Sequence, residues 1–295
     1  MKRQLWIFLL VSLGVVLPLR AEVVIFAEPA TGIVVQGPLS IIEDPDPVPN
    51  YWIGSSPAVS GRYVLNPQGA TNGDGRPATG RTPSGLPIVV WGKNNGNGFD
   101  LVYSVFDNGA WSAEATLAAA VSPDVDPEPA MAFDRMSGAV HVVYSTGGSA
   151  PSIFAIEAPS DLSSWTAPAL VSQVAEIALR PSAVVHEGQL RVAYESHGSG
   201  VGSTPRQIVV ATEISGSFNH QAVSSTHHGG ANRPQLHTGV GDRLWLDWID
   251  ASGDVAWTVW SSGDVWSAVT LETYSDDADR EFHVRRRVRQ LAAAN

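Results

Sequence analysis

Cysteine is absent from the sequence. Its absence excludes disulfides and a lipoprotein-type leader, so the fold must rest on packing alone. A chain of 295 residues can do this, because it is long enough to build a large core. Basic residues are scarce as well: 18 Lys and Arg face 29 Asp and Glu, a formal net charge of −11. That balance argues against nucleic acid and anionic membranes as general partners. Long apolar runs are limited to one, Leu5 to Leu17, which is short for a membrane span.

That run follows Lys2 and Arg3 and ends at Pro18, the pattern of a secretion signal over residues 1–21. Cleavage after Ala21 is expected, with an uncleaved anchor as the alternative, since Leu19 and Arg20 depart from a small-residue cleavage site. The product is then exported (periplasmic, secreted or at the cell surface). Without Lys2, Arg3 and Arg20 it carries 15 basic and 29 acidic residues, a net charge of −14.

What the sequence does hold is glycine (28), proline (20) and tryptophan (10), with Val, Ile and Thr in short runs between turn residues. Helical periodicity is nearly absent, which points to an all-β chain. The runs repeat. Arg76-Pro77, Glu128-Pro129, Arg180-Pro181 and Arg233-Pro234 recur at intervals of 52, 52 and 53 residues. Each X-Pro pair leads to a turn and an apolar run: "LPIVVW", "AVHVVY", "QLRVAY", "RLWLDW". These runs end in Trp91, Tyr144, Tyr194 and Trp248, 13 to 15 residues after the proline. A Gly/Ser/Asn-rich loop and a second run follow. Another aromatic then opens a last strand, at Trp111, Trp165, Phe218 and Trp266.

Four short antiparallel strands per unit of about 50 residues is the signature of a β-propeller blade. Strict polar–apolar alternation is not expected, because neighbouring blades cover both faces of each sheet. A weaker copy begins at Glu28-Pro29 and is blurred by the acidic insert "EDPDPVP". The expected architecture is a propeller of five, alternatively six, four-stranded blades over residues 22–272, with units starting near 28, 76, 128, 180 and 233. Residues 273–295, with "RRRVR" at 285–289, read as a closing strand or a basic tail.

The turns "SVFDNGAW" (Ser104 to Trp111) and "SDLSSW" (Ser160 to Trp165), and more distantly "SSGDVW" (Ser261 to Trp266), resemble degraded Asp-boxes of sialidase-like propellers. The resemblance implies a turn whose Asp caps backbone N–H groups and whose Trp packs between blades. It does not imply sialidase activity, since fold does not fix function. A sialidase also needs a Tyr–Glu nucleophile pair and an acid/base Asp, and the sequence does not place them.

In such a fold the X-Pro pairs converge at one mouth of the central channel. Arg76, Arg180 and Arg233 are the candidate ligand-binding cations, suited to bidentate recognition of carboxylates. Trp91, Tyr144, Tyr194 and Trp248 are candidate ligand platforms, with inter-blade packing as their other reading. Arg-Pro also has a purely structural reading as the start of an inner strand, with Arg bonded to the next blade. Asp74, Asp126, Glu128 and Glu195 are the weak catalytic candidates, should two carboxylates lie about 5 to 9.5 Å apart as glycoside hydrolysis requires. Lys93, Asn94, Asn95, His197, Arg206 and Asp250 fall in the facing loops. "THHGGANRPQLH" lacks metal-ligand spacing, and "GKNNGNGFD" lacks the acidic pattern of a calcium loop. No metal and no cofactor is expected. The expected protein is a monomeric, non-catalytic propeller that binds a glycan or another extracellular ligand through its funnel. A sialidase-like or arabinanase-like glycoside hydrolase, or a polysaccharide lyase, is the alternative.

Overall fold

The computed structural model describes residues 65, 73–197, 206–224, 231–239, 242–261 and 265–271 with their side chains. For five strands between 24 and 64, and for residue 272, it describes the backbone. The expected signal at 1–21, the insert at 43–49, His227, His228 and the segment 273–295 lie outside the described residues.

The N-terminal sheet holds β1 (Val24–Glu28), β2 (Gly32–Pro38) and β5 (Ser60–Val64) in that order, beside a short pair, β3 (Ile41–Ile42) and β4 (Ile53–Gly54). Four repeat sheets follow, one per X-Pro unit. Blade 2 holds β6 (Ala78–Arg81), β7 (Pro87–Asn94), β8 (Phe99–Asp107), β9 (Ala110–Trp111) and β10 (Ala115–Ser122). Blade 3 holds β11 (Ala130–Phe133), β12 (Val140–Ser145), β13 (Ile153–Ala158) and β14 (Ala169–Leu170). Blade 4 holds β15 (Ala178–His186), β16 (Gln189–Ser196), β17 (Gln207–Ile214) and β18 (Ser217–Ala222). Blade 5 holds β19 (Asn232–Thr238), β20 (Leu244–Ile249), β21 (Val255–Ser261), β22 (Val265–Trp266) and β23 (Thr270–Glu272). Every pairing is antiparallel between neighbours in sequence, apart from β2 with β5 and the outer strands split by a break. The chain is an all-β propeller.

The blades stack because each middle strand is apolar on both faces. Along β12, Val142 and Tyr144 join a cluster with Ile88, Val90 and Leu101 of blade 2. The intervening Val143 joins a cluster with Val192, Tyr194 and Val209 of blade 4. Along β16 the same alternation sends Val192 and Tyr194 toward blade 3 and Ala193 toward Leu236, Leu246 and Trp248 of blade 5. Full burial of one such Val or Leu stabilises by about 1.5–3 kcal/mol, so each seam between blades carries a large hydrophobic term. The first strands of the four units, β6, β11, β15 and β19, lie side by side along the axis.

The outer strand is pinned by a hydroxyl next to the repeat aromatic. Ser112 Oγ accepts the Val105 N–H at 3.1 Å, Thr166 Oγ1 the Glu157 N–H at 2.9 Å, and Ser267 Oγ the Val259 N–H at 3.1 Å. The residue after each Trp therefore satisfies a strand donor where the outer strand departs. A second such device sits at the end of the fourth strand. Ser172 and Ser224, each preceded by Val, accept the Ile153 and Ile208 N–H groups at 3.1 and 2.8 Å.

The Asp-box turns behave as capped turns to different degrees. Asp161 Oδ1 accepts the Ser163 N–H at 3.0 Å, and this bond holds the carboxyl below its ordinary range. Asp107 is instead bonded to the Asn108 side chain at 3.0 Å. Trp165 packs edge-on against Tyr103 of blade 2, with ring centroids 5.5 Å apart.

Candidate functional site

The X-Pro pairs do more than start strands. Arg76-Pro77 and Glu128-Pro129 directly precede β6 and β11, but Arg180-Pro181 and Arg233-Pro234 lie inside β15 and β19. Proline has no N–H for the ladder, so it is tolerated inside a strand only at an edge or a bulge. Here the register of β15 against β16 shifts between Leu179 and Ser182, and that of β19 against β20 between Asn232 and Gln235. Both bulges fall on the Arg-Pro pair. Glu128, Arg180 and Arg233 all adopt left-handed backbone, with φ of 42°, 53° and 52°. A non-glycine residue pays about 1–2 kcal/mol for this conformation, and a following proline disfavours helical backbone further. Strain repeated at one position of three units marks a place where the surrounding contacts impose the geometry.

Those contacts are carboxylates. Asp126 accepts the Arg76 N–H at 2.6 Å with one oxygen and the Glu128 N–H at 3.0 Å with the other. It thereby ties the start of blade 2 to the start of blade 3. Burial raises the Asp126 carboxyl above its usual range, against the pull of these two N–H bonds and the Arg76 charge. Gly75 makes room for it: a Cβ there would lie 2.0 Å from Asp126 Oδ1. Glu195, on β16, plays the matching part between blades 4 and 5. Its side chain is fully buried; Oε1 accepts Arg180 Nη1 at 2.7 Å and the Arg233 N–H at 2.9 Å. His197 Nε2 lies 3.5 Å from Glu195 Oε2.

All four X-Pro pairs border a single cavity of about 220 Å³, joined by Gln235, Asp247, Trp248 and Ile249. The rim cations are Arg76, Arg180 and Arg233. Arg180 is 37% exposed and also faces Glu128, whose Oε2 is 3.7 Å from its Nε. Burial opposes the charge on Arg180, yet the bond to Glu195 and the fields of Glu195 and Glu128 together hold its pKa above the ordinary arginine value. Glu128 is raised in turn, chiefly by burial. Arg180 and Arg76 draw it down, and the charges of Asp126 and Glu195 push it further up. Asp247 is bonded to His237, Oδ1 to Nε2, at 2.7 Å.

Of the residues singled out in the sequence, the structure therefore brings Arg76, Glu128, Arg180, Arg233 and Trp248 to the cavity wall and places Glu195 just behind it. Asp74 and Asp126 are engaged in backbone bonds, Asp74 with the Asn94 N–H at 3.2 Å. Trp91 and Tyr144 are buried in blade-to-blade packing, Tyr144 stacked on Phe154 with its hydroxyl pushed up to about 12 by burial. Tyr194 is buried and donates its hydroxyl to Glu176 Oε2 at 3.0 Å. This is a Tyr–Glu pair, but burial and the adjacent Glu176 charge both raise the Tyr194 pKa. Those effects oppose the phenolate that a nucleophile would need. Lys93 pairs with Glu114, Asn95 bonds Asp100, Asp250 caps its own turn, and Arg206 is exposed. Sequence reasoning missed Asp247, Gln235 and Glu176. Asp247 had a readable signal, an acid inside the otherwise apolar run "LWLDW".

No family model matches the sequence, nor does any curated protein. Solved structures do match its fold. An ulvan lyase bound to a GlcA(1-4)Rha3S saccharide superposes with a TM-score of 0.53 at 8% identity, over 84% of this chain and 69% of that one. The Penicillium chrysogenum α-L-arabinanase bound to arabinobiose gives 0.51 at 10% identity, over 68% of this chain and 66% of that one. A protein of unknown function from Dyadobacter fermentans gives 0.51 at 11% identity, over 83% and 80%. The fold shared with these proteins is the β-propeller. At these identities the likeness describes the architecture of the propeller and not its chemistry.

Proposed function

We propose that this propeller is an exported, non-catalytic carbohydrate-binding protein whose site is the cavity at the mouth of its channel. One observation carries the reading: four repeat positions, three of them strained, converge on one cavity and present Arg76, Glu128, Arg180 and Arg233 to it. Two of the matching folds are held by proteins solved with a saccharide bound, one of them acidic. A cavity of about 220 Å³ suits one sugar ring or part of a short chain.

The state of the acids supports binding over hydrolysis. Asp126 gives both oxygens to backbone N–H groups, and Glu195 is fully buried under Arg180. The carboxylates left at the cavity are Glu128 and Asp247, and Asp247 is held by His237. A general acid and a base that flank a scissile bond need freer groups than these. The test is a glycan array probed with the mature protein and with Arg76→Ala, run beside a panel of chromogenic glycosides. Selective glycan binding that Arg76→Ala weakens, with no turnover, supports the proposal. Turnover of any glycoside moves the protein to the hydrolase or lyase class, and a blank array removes carbohydrate as the ligand.

A further inference from the structure

Three carboxylate side chains are set against the three arginines of the cavity, Glu128, Asp247 and the underlying Glu195, with Asp126 bonded to backbone beside them. The chain as a whole is acidic, at −11, so nothing at long range favours an anionic ligand. Yet the three carboxylates are held very differently. Glu195 is fully buried and takes two hydrogen bonds. Asp247 is 4% exposed at its side chain and is bonded to His237. Glu128 is 27% exposed, and among the described residues its carboxylate accepts no hydrogen bond. It reaches Arg180 only at 3.7 Å, beyond hydrogen-bond length. Its backbone is fixed by Asp126, but its carboxylate is not.

Arg180 is the complement. It makes one side-chain hydrogen bond among the described residues, from Nη1 to Glu195, and is 37% exposed toward the cavity. The edge of its guanidinium formed by Nε and Nη2 can bind a carboxylate bidentately, and Glu128 pairs with it only as an ion pair at 3.7 Å, without a hydrogen bond. We propose that Glu128 is a displaceable internal counter-ion for Arg180, and that a saccharide carboxylate takes its place on the Nε edge while Glu195 holds the guanidinium from behind. This rests on the carbohydrate reading of the cavity and names its ligand class, a uronic acid. Glu128 then sets the threshold an acidic sugar must pass, and a neutral sugar gains nothing at Arg180.

The proposal implies a pH dependence with one sign. Arg76, Arg180, Asp126 and Glu195 face Glu128, with Arg233 and the Asp247–His237 pair across the cavity and His197 behind Glu195. Burial raises the Glu128 carboxyl, so acidification draws it toward the neutral form sooner than an ordinary glutamate. Uronate binding should therefore strengthen as pH falls, as long as the ligand remains ionised.

The experiment is calorimetric titration of wild type, Glu128→Gln and Glu128→Asp with tri-galacturonate and its methyl ester, at pH 7.5 and 5.0. Wild type should bind the acid several-fold more tightly at pH 5.0 than at 7.5. Glu128→Gln should bind it about tenfold more tightly than wild type at pH 7.5, the effect of removing one like charge at the site, and should lose most of the pH step. Glu128→Asp, with its carboxylate drawn back from Arg180, should fall between the two, and the ester should be indifferent to all three. Wild-type binding with an unchanged or weakened Glu128→Gln would overturn the counter-ion and leave the carbohydrate site standing. An ester that gains as much as the acid would do the same. Absence of binding by every protein to both probes would count against this ligand class, and the glycan array then decides whether the site itself survives.

Discussion

Removing Arg180 should destabilise the whole protein through a residue it leaves behind. Glu195 is fully buried and shares one oxygen between Arg180 Nη1 and the Arg233 N–H. In Arg180→Ala the carboxylate keeps the backbone donor and the nearby His197, and loses the Arg180 guanidinium. Breaking a buried pair from one side costs about 3–5 kcal/mol, because the remaining charge is desolvated without compensation. Arg180 is itself 37% exposed, so water partly replaces it, and a loss of about 2–3 kcal/mol is expected. Glu195→Gln removes the charge and retains an oxygen for the Arg233 N–H, and should cost about 1–2 kcal/mol. The double variant should be less destabilised than the two losses added, with a coupling of about 1–2 kcal/mol. Urea unfolding followed by tryptophan fluorescence reads all four corners of the cycle, since the ten tryptophans report on several blades. An Arg180→Ala protein within about 0.5 kcal/mol of wild type, or a cycle that is additive within that margin, would refute the role given to Glu195.

Other outcomes follow from single contacts. Gly75→Ala should cost about 1–3 kcal/mol, because its Cβ would sit 2.0 Å from an Asp126 oxygen that is tied to two backbone groups; the fall in thermal midpoint checks this. Tyr194→Phe should cost about 1 kcal/mol and change no ligand affinity, since the hydroxyl lies off the cavity wall and donates to the buried Glu176, which keeps its Ser196 and Gln173 donors. Glu128→Gln should raise stability at neutral pH by less than about 1 kcal/mol. The sign follows from a folded-state carboxyl raised above its unfolded value: the ionised group costs stability above its folded pKa, and that cost fades as pH falls toward the usual glutamate range. Denaturation midpoints of the two proteins should therefore converge between neutral pH and about pH 4.

The repeat was legible because its signals are chemical and periodic. "QIVVATEI" coincides with β17 residue for residue, and the X-Pro intervals reproduce the four repeat sheets. Convergence of the four X-Pro residues follows from the same period. The left-handed backbone at Glu128, Arg180 and Arg233 could not be read, because a residue before proline ordinarily prefers extended backbone; the exception goes with a bulge at Arg180 and Arg233 and with the hold of Asp126 on the Glu128 N–H. Nor could the hold of Asp126 on Arg76, which joins residues 50 apart through one carboxylate. The pins at Ser112, Thr166 and Ser267 were present in the sequence, one place after each repeat tryptophan, but a hydroxyl reads as a pin only once the strand it serves is known.

The three latched seams are chemically unlike. Asp126 of blade 3 reaches back to the backbone of blade 2, Glu195 of blade 4 reaches forward to that of blade 5, and between blades 3 and 4 the link is the ion pair of Glu128 with Arg180. Duplicated units have thus drifted into parts that are no longer interchangeable. Transplanting residues 76–127 into the place of 180–232 would put Gly92 where Glu195 stands and so remove the carboxylate that joins Arg180 to Arg233. Recombination between blades, the event that shortens or lengthens arrays of identical repeats, is penalised at these three seams. The order of the blades is therefore held in place by the same residues that shape the mouth.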